Sequence, residues 1–315
     1  MKLLGQSWPR QLGGLAGLLL LVVGTSSACR PAARGSPGGS AGNDANQVPA
    51  VDSGTVAVNG THLSYQEAGS GPAVVLISGG NLDLRMWDPQ FLPLAHQHLV
   101  IRYDPRGYGK SGPADAPYQS HEHLYGLLRG LRVPRASLVG LSLGGRIAID
   151  FALAHPEMVD RLVLASPGLS GWKFSRTDTA YFPDARRARD RGDAAALGLA
   201  WLKSAYMQPA MEHPELVARL REMAAANGKH WLEVLRHGDL ERVAEPPALG
   251  RTASLGMPTL LVIGTRDVPD IQAIADTLTA TMPHLRRVAF EGAGHMVNLE
   301  QAGRFTELVR EFLRP

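Results

Sequence analysis

Six short apolar runs are spaced along the chain and give the first indication of its fold. They are "AVVLIS" (73–78), "HLVIRYD" (98–104), "ASLVGLS" (136–142), "RLVLAS" (161–166), "PTLLVIGTRD" (258–267) and "RRVAFEG" (286–292). Continuous apolar runs of this length are typical of strands that are buried on both faces of a sheet. The pattern therefore predicts a central sheet of at least these strands.

Helix-like patterns fill most of the intervals between the runs, such as "GGRIAIDFALAH", "DIQAIADTLTATM" and "AGRFTELVREFL". Strands that alternate with helices predict an α/β fold with a mostly parallel sheet covered by helices. Ahead of the first run, "TVAV" (Thr55–Val58), Asn59-Gly60 and "THLSYQEAG" predict a hairpin, since Asn-Gly supplies the positive φ angles of a tight turn.

The alternation breaks once, between Ser166 and about Gly250, where the sequence shows no convincing strand. Long helical patterns such as "ARRARDRGDAAALGLAWLKSAYM" and "PELVARLREMAAA" occupy this stretch. We expect a helical cap over residues 167–250, inserted between two parts of one core at 54–166 and 251–315. Its aromatic and methionine residues are more typical of plain core than of a substrate pocket.

The first 53 residues have a different character. Lys2 and Arg10 precede an apolar run, and small residues follow it up to Cys29. This arrangement predicts a secretory signal peptide over residues 1–28. The following segment, 29–53, is rich in Gly, Pro, Ser and Ala, which predicts a flexible tether.

Cys29 is the only cysteine of the 315 residues, so the chain cannot form an internal disulfide. Its position at the cleavage site resembles a bacterial lipoprotein signal, in which the cysteine is lipidated, although Ser26 stands where that family usually has Leu. We expect an exported envelope protein, anchored to a membrane through a lipid on Cys29. Without that modification it would be periplasmic or secreted.

Charge adds little to this picture. The formal net charge is +3, and Lys2 and Arg10 supply two of these charges. No run of basic residues is interleaved with aromatics, so the composition argues against a nucleic-acid partner.

The strongest chemical signal is Gly140-Leu141-Ser142-Leu143-Gly144, which fits G-x-S-x-G between a buried strand and a helix. In that context a serine occupies a sharp turn at the edge of the sheet, and glycines are needed because side chains would collide. The alternative is an ordinary glycine-rich turn. We favour a nucleophile at Ser142.

A serine nucleophile needs a histidine base that a carboxylate orients. His295 follows the last run in the glycine-rich loop "FEGAGHMVNLEQ". Asp267 ends the penultimate run, with Asp270 as the reserve candidate. A surface histidine and a turn-forming Asp are the ordinary interpretations of these positions.

These motifs, together with "YDPRGYGKSG" (Tyr103–Gly112), make the chain from about Gly54 to Pro315 similar to the α/β-hydrolase superfamily. The resemblance is to its capped serine branch of esterases, enol-lactonases and carbon–carbon bond hydrolases. It implies the triad Ser142, Asp267 and His295, and structural roles for Asp104 and Arg106.

The resemblance also implies an oxyanion hole formed by the backbone N–H groups of Leu143 and Gly80. The loop of Gly80 departs from the family, because Ser78-Gly79 stands where His-Gly is usual. Because the donor is a backbone N–H, the hole does not require the histidine side chain, which in the family often braces the loop.

The sequence therefore predicts a serine hydrolase that cleaves a carboxylic ester or similar activated carbonyl of a small molecule, without a cofactor or metal. "HEH" (His121–His123) lacks zinc-site spacing, and "GKSG" lacks the first glycine of a P-loop. Enol-lactonase, carbon–carbon hydrolase and haloperoxidase-like activities are alternatives, as is a tethered binding protein without catalysis. The sequence does not predict an oligomeric state.

Overall fold

The computed structural model describes residues 48–175 and 179–314. The predicted signal peptide, most of the predicted tether and the lipidation candidate Cys29 lie outside these residues. Among the helices within them, none is both long enough and apolar enough to cross a membrane.

One eight-stranded sheet organises the described chain. Its strands are β1 (Val51–Val58), β2 (Thr61–Ala68), β3 (Ala73–Ile77), β4 (Leu99–Tyr103), β5 (Ala136–Leu141), β6 (Val159–Ala165), β7 (Thr259–Gly264) and β8 (Leu285–Phe290). They lie in the order β1-β2-β4-β3-β5-β6-β7-β8. β1 pairs with β2 and β2 with β4 in antiparallel fashion, and all other neighbours are parallel. The predicted mostly parallel sheet is confirmed.

Both faces of the central strands are buried, which explains their continuous apolar runs. Along β3, Val75 and Ile77 belong to one apolar cluster, whereas Val74 and Leu76 belong to another. Because successive side chains of a strand point to opposite faces, the two clusters are the two helix-covered faces of the sheet.

Ten α-helices accompany the strands in the described residues. Six belong to the alternating pattern: α1 (Asp88–Ala95), α2 (Ser120–Gly130), α3 (Leu143–Ala154), α8 (Pro269–Thr281), α9 (Val297–Glu300) and α10 (Ala302–Leu313). Four lie between β6 and β7: α4 (Phe182–Asp190), α5 (Ala194–Trp201), α6 (Gln208–Met211) and α7 (Pro214–His237). We refer to these four as the cap helices.

Within the cap helices, α5 and α7 touch backbone to backbone through two glycines. A Cβ on Gly198 would lie 1.9 Å from the carbonyl oxygen of Ala224, and one on Gly228 would lie 1.8 Å from that of Ala194.

The expected long helix over "ARRARDRGDAAALGLAWLKSAYM" is wrong in one respect, because it breaks between α4 and α5. Gly192 has φ +67°, and the side chain of Asp193 accepts the Ala196 N–H to start a new helix.

The N-terminal hairpin forms as predicted, with Asn59 and Gly60 at φ 43° and 79°. β1 begins at Val51, however, three residues inside the segment that the composition assigns to the tether. The extra residues are held by backbone pairing with the far end of β2, where Val51 lies opposite Ala68. This pairing does not depend on apolar side chains, so composition gave no signal for it.

Candidate active site

Ser142 lies between the end of β5 and the start of α3 in a backbone conformation that side chains rarely adopt, with φ 55° and ψ −112°. Such strain persists only where the surrounding structure enforces it. Its N–H donates to the carbonyl of Ala165 at 3.0 Å, and its own carbonyl accepts the N–H of Gly168 at 2.9 Å. The turn is thus fixed from β6 and from the loop that follows it.

The glycines around Ser142 are required by close backbone approach. A Cβ on Gly140 would lie 2.3 Å from the carbonyl oxygen of Gly144, and one on Gly144 would lie 2.0 Å from that of Ile77. A Cβ on Gly145 would lie 2.6 Å from Pro167. Any side chain at these positions would push α3 away from the sheet and move the Ser142 hydroxyl with it.

His295 and Asp267 form a buried pair, as the sequence predicts. The Nδ1 atom of His295 lies 3.0 and 3.1 Å from the two carboxylate oxygens of Asp267. The side chains are only 3% and 0% exposed. Asp267 also accepts the N–H of Val268 at 2.8 Å, which fixes its carboxylate.

Two glycines bring the loops of this pair together. A Cβ on Gly264, the last residue of β7, would lie 2.1 Å from the carbonyl oxygen of Gly294 in the loop after β8.

The reserve candidate Asp270 faces elsewhere. Its carboxylate accepts the indole N–H of Trp172 at 3.2 Å and the backbone N–H of Ser175 at 2.9 Å.

Two residues that the sequence analysis did not single out hold the His295 loop. Glu300 accepts the N–H groups of Gly294 and Met296, at 2.7 and 2.9 Å, so one carboxylate brackets His295. Burial nevertheless raises the pKa of Glu300. The only signal in the sequence was an acid five residues after the histidine in "GHMVNLEQ".

Asn298 is the second such residue, and it ties the His295 loop to the segment that follows β3. Its side-chain amide donates to the carbonyl of Met86 at 3.0 Å, and its backbone carbonyl accepts a hydrogen bond from the Gln90 side chain at 3.0 Å. The Met86 sulfur in turn accepts the N–H of Gly79 at 3.2 Å. A Cβ on Gly79 would lie 3.7 Å from the Cβ of Ser142, so this chain of contacts reaches the nucleophile candidate.

The predicted oxyanion donors also lie next to each other. A Cβ on Gly80 would lie 3.7 and 3.9 Å from two side-chain atoms of Leu143. Ser142, Leu143 and Gly80 are each partly exposed, which leaves the site open to a substrate.

Among the described residues, no hydrogen bond joins the Ser142 hydroxyl to His295. Such contacts often tighten only when a substrate binds.

A charged pair that the sequence analysis missed lies one helical turn beyond Ser142. Arg146 contacts Glu241 at 2.7 Å and Asp150 at 3.5 Å. Burial alone would raise the pKa of Glu241, but the Arg146 guanidinium and the Ser120 hydroxyl outweigh it and lower that pKa. Burial raises the pKa of Asp150 instead.

The residues expected to be structural make backbone contacts around the turn after β4. Asp104 accepts the N–H groups of Leu84 and Lys110 at 2.8 and 2.9 Å, and Arg106 donates to the carbonyl of Pro113 at 2.6 Å. Within residues 48–175 and 179–314, no cluster of three or more His, Cys, Asp or Glu side chains could hold a metal ion.

Known proteins share this architecture. A 2-hydroxymuconate semialdehyde hydrolase from a Pseudomonas strain is 29% identical, over 81% of this chain and 91% of the relative. The crystal structure of an enol-lactonase from Burkholderia xenovorans aligns with a TM-score of 0.67 and 29% identity, covering 82% of this chain and 99% of that one. A thermophilic esterase from Thermogutta terrifontis aligns with a TM-score of 0.66 and 26% identity, covering 84% and 98%.

The family model that describes the alpha/beta hydrolase fold matches residues 72–302 of the chain. The match extends from just before β3 into the start of α10 and includes Ser142, Asp267 and His295. The chain therefore belongs to the alpha/beta hydrolase fold family.

Proposed function

We propose that this protein is a serine hydrolase that cleaves a carboxylic ester, or a similarly activated carbonyl, through an acyl-enzyme on Ser142. The observation that carries the proposal is the buried pair of His295 and Asp267, at the end of the sheet where the strained turn holds Ser142. A buried carboxylate on Nδ1 is the arrangement that holds an imidazole ready to accept a proton at Nε2.

The reaction begins when the Ser142 oxygen bonds to the substrate carbonyl carbon. The carbonyl electron pair moves onto its oxygen, and the hydroxyl proton moves to Nε2 of His295. Asp267 keeps the ring oriented and stabilises its positive charge. The backbone N–H groups of Leu143 and Gly80 stabilise the oxyanion, and one such donor is worth about 10²–10³ in rate.

The oxyanion then collapses, the bond to the leaving alcohol breaks, and His295 returns the proton to the alcohol oxygen. Water attacks the acyl-enzyme by the same route and releases the acid and free Ser142. Every step uses groups of the chain and water alone, and the substrate is a small molecule.

The relatives support the reaction class more than the substrate. Their names specify a semialdehyde hydrolase, an enol-lactonase and an esterase. Enol-lactone opening, carbon–carbon cleavage and haloperoxidase-like chemistry therefore remain alternatives for the same three side chains. A tethered binding protein without catalysis is the rival from another class, because fold alone does not prove activity.

A fluorophosphonate probe tests the proposal, since it reacts with activated serines. We expect one label per chain, on the peptide that contains Ser142, and none on Ser142→Ala. A panel of p-nitrophenyl esters of increasing acyl length then measures chain preference. Labelling that survives Ser142→Ala, or no labelling of the native protein, contradicts the proposal. Labelling without hydrolysis of any ester favours the lactone or carbon–carbon alternatives.

The proposed location is the cell envelope, with a membrane anchor formed by a lipid on Cys29. The support is the order of basic, apolar and small residues that ends at this cysteine. The intact mass of the mature N-terminus tests it. We expect the native protein to carry a lipid on residue 29 and Cys29→Ser to carry none. An unmodified N-terminus at Cys29 would instead indicate a secreted or periplasmic protein.

A further inference from the structure

The loop that carries Gly80 lacks support from the residue at its start. Ser78 is fully buried, and within the described residues its hydroxyl has no hydrogen-bond partner. The next residue, Gly79, donates its N–H to the Met86 sulfur, which is a weak acceptor. A loop that must hold a donor in place for catalysis therefore needs another support.

Tyr108 provides a polar atom at this position. It follows Gly107, whose φ of +88° turns the chain after β4. Tyr108 is 6% exposed, and its ring lies against the ring of His230 from α7, with centroids 4.3 Å apart. Its hydroxyl lies 3.6 Å from the point where a Cβ of Gly80 would be, and the Leu143 Cβ lies 3.9 Å from the same point.

The proton of the Tyr108 hydroxyl is available to donate a hydrogen bond. The backbone N–H of Asn81 faces the Tyr108 oxygen and favours the ionised form of the hydroxyl. In the part of the chain that the structure describes, the hydroxyl proton of Tyr108 has no acceptor. A hydroxyl can donate one hydrogen bond while it accepts another, and accepting one strengthens the donor.

Tyr108 is also a neutral donor at any working pH. Burial, reinforced by neighbouring Tyr118 and Glu241, raises the pKa of Tyr108 well above its ordinary value of 10.0. The hydroxyl therefore keeps its proton under the conditions in which an ester hydrolase operates.

We propose that the Tyr108 hydroxyl is a third hydrogen-bond donor to the oxyanion that forms when Ser142 attacks the substrate, beside the N–H groups of Gly80 and Leu143. This inference rests on the proposed function. The hydroxyl donates a hydrogen bond and transfers no proton, because the proton of Ser142 goes to His295. Because it faces the Asn81 N–H, the same oxygen holds the Gly80 loop in position.

Tyr108→Phe removes this one oxygen and keeps the ring against His230. We expect kcat to fall about 10- to 100-fold, with KM changed by less than about threefold, because the bond is made mainly in the transition state. Affinity for a trifluoromethyl ketone, which forms a tetrahedral adduct with the serine, should fall in proportion to kcat/KM.

Tyr103→Phe is the matched control, since the Tyr103 hydroxyl is also buried and has no partner among the described residues. Its kcat should equal that of the native protein.

A difluorotyrosine at position 108 separates the donor from the loop support. Ring fluorination makes the hydroxyl a stronger donor and a weaker acceptor. A donor to the oxyanion predicts faster acylation than the native enzyme, whereas a loop support alone predicts slower acylation.

Three outcomes overturn the inference: an unchanged kcat in Tyr108→Phe, an equal loss in Tyr103→Phe, or slower acylation with difluorotyrosine. These outcomes are interpreted only if the native protein is labelled by the fluorophosphonate probe at Ser142. Failure of that labelling would refute the proposed function instead, so the two failures are distinguishable.

Discussion

Nδ1 of His295 lies almost equally far from the two oxygens of Asp267, at 3.0 and 3.1 Å. The carboxylate therefore faces the ring symmetrically and fixes the tautomer that leaves Nε2 free to accept a proton. Because both side chains are buried, no water competes for this bond.

Asp267→Asn keeps the size of the side chain but replaces one acceptor oxygen with an N–H donor. We expect kcat on a reactive ester to fall by roughly 10³–10⁴, because the amide favours the wrong imidazole tautomer. Asp270→Asn is the control, and its kcat should stay within about threefold of the native value, since Asp270 contacts Trp172 and Ser175 instead. Equal losses in the two variants would contradict the assignment of Asp267.

The glycines of the Ser142 turn lead to a prediction about stability. Gly144→Ala places a Cβ 2.0 Å from the carbonyl oxygen of Ile77, where only backbone could move away. We expect a loss of about 3 kcal/mol or more in the free energy of unfolding, measured by urea denaturation.

Gly303→Ala on α10 is the matched control, because a Cβ there has nothing within 4 Å. It should stabilise the protein by about 0.5–1 kcal/mol through the lower entropy of the unfolded chain. A Gly144→Ala variant as stable as the native protein would show that close approach does not explain this glycine.

The features that were predictable from the sequence are those with a local signal. The buried strands β3, β5 and β7 are continuous apolar runs, and the turn at Ser142 needs glycines two residues before and two residues after the serine. The pairing of Asp267 with His295 followed because parallel strands end at one edge of the sheet, and the resemblance specified which strands.

The features that were missed depend on contacts between distant parts of the chain. Arg146 lies on α3 and Glu241 follows α7, and neither local sequence indicates a partner. The same holds for Asn298 and Met86. The break between α4 and α5 had a local signal in Gly192-Asp193, but the strong helical composition on both sides obscured it.

The Arg146–Glu241 pair leads to a prediction about stability and pH. The two side chains are 14% and 16% exposed. Among the described residues, Glu241→Gln thus leaves the mostly buried Arg146 cation with Asp150 as its one remaining ion-pair partner. We expect a loss of roughly 2–4 kcal/mol near neutral pH. Glu233→Gln is the control, because that carboxylate pairs with Arg236 and His237, both largely exposed, and should change stability by less than about 0.5 kcal/mol.

The sign of the pH dependence follows from the lowered pKa of Glu241. Its ordinary value is 4.5, so its contribution to stability is fully present above that pH and is lost as pH falls through the lower folded-state pKa. The difference in urea midpoint between native protein and Glu241→Gln should therefore be largest near neutral pH and shrink below pH 4.5. A difference that is constant over this range would contradict the charged pairing.

Asn227 leads to the last prediction, because one buried amide joins a cap helix to two core loops. Its amide nitrogen donates to Asp83 at 2.8 Å, and its oxygen accepts the N–H of Gly109 at 2.7 Å. Burial would raise the pKa of Asp83, but its hydrogen bonds with Arg85 and Asn227 lower it. Asn227→Ala thus leaves the Gly109 N–H unpaired and removes one donor from a buried carboxylate.

We expect Asn227→Ala to cost about 2–3 kcal/mol, since unsatisfied buried groups cost about 1–3 kcal/mol each. Amide hydrogen exchange should accelerate in α7 and in the turn around Gly109, because the Asn227 hydrogen bond that joins them is lost. Lys229→Ala is the control. Lys229 reaches the carbonyl of Gly109 at 2.6 Å from an exposed position, so its loss should cost less than about 1 kcal/mol. If exchange accelerated equally in both variants, the contact with the exposed lysine would matter as much as the buried amide, and Asn227 would not be the link between cap and core.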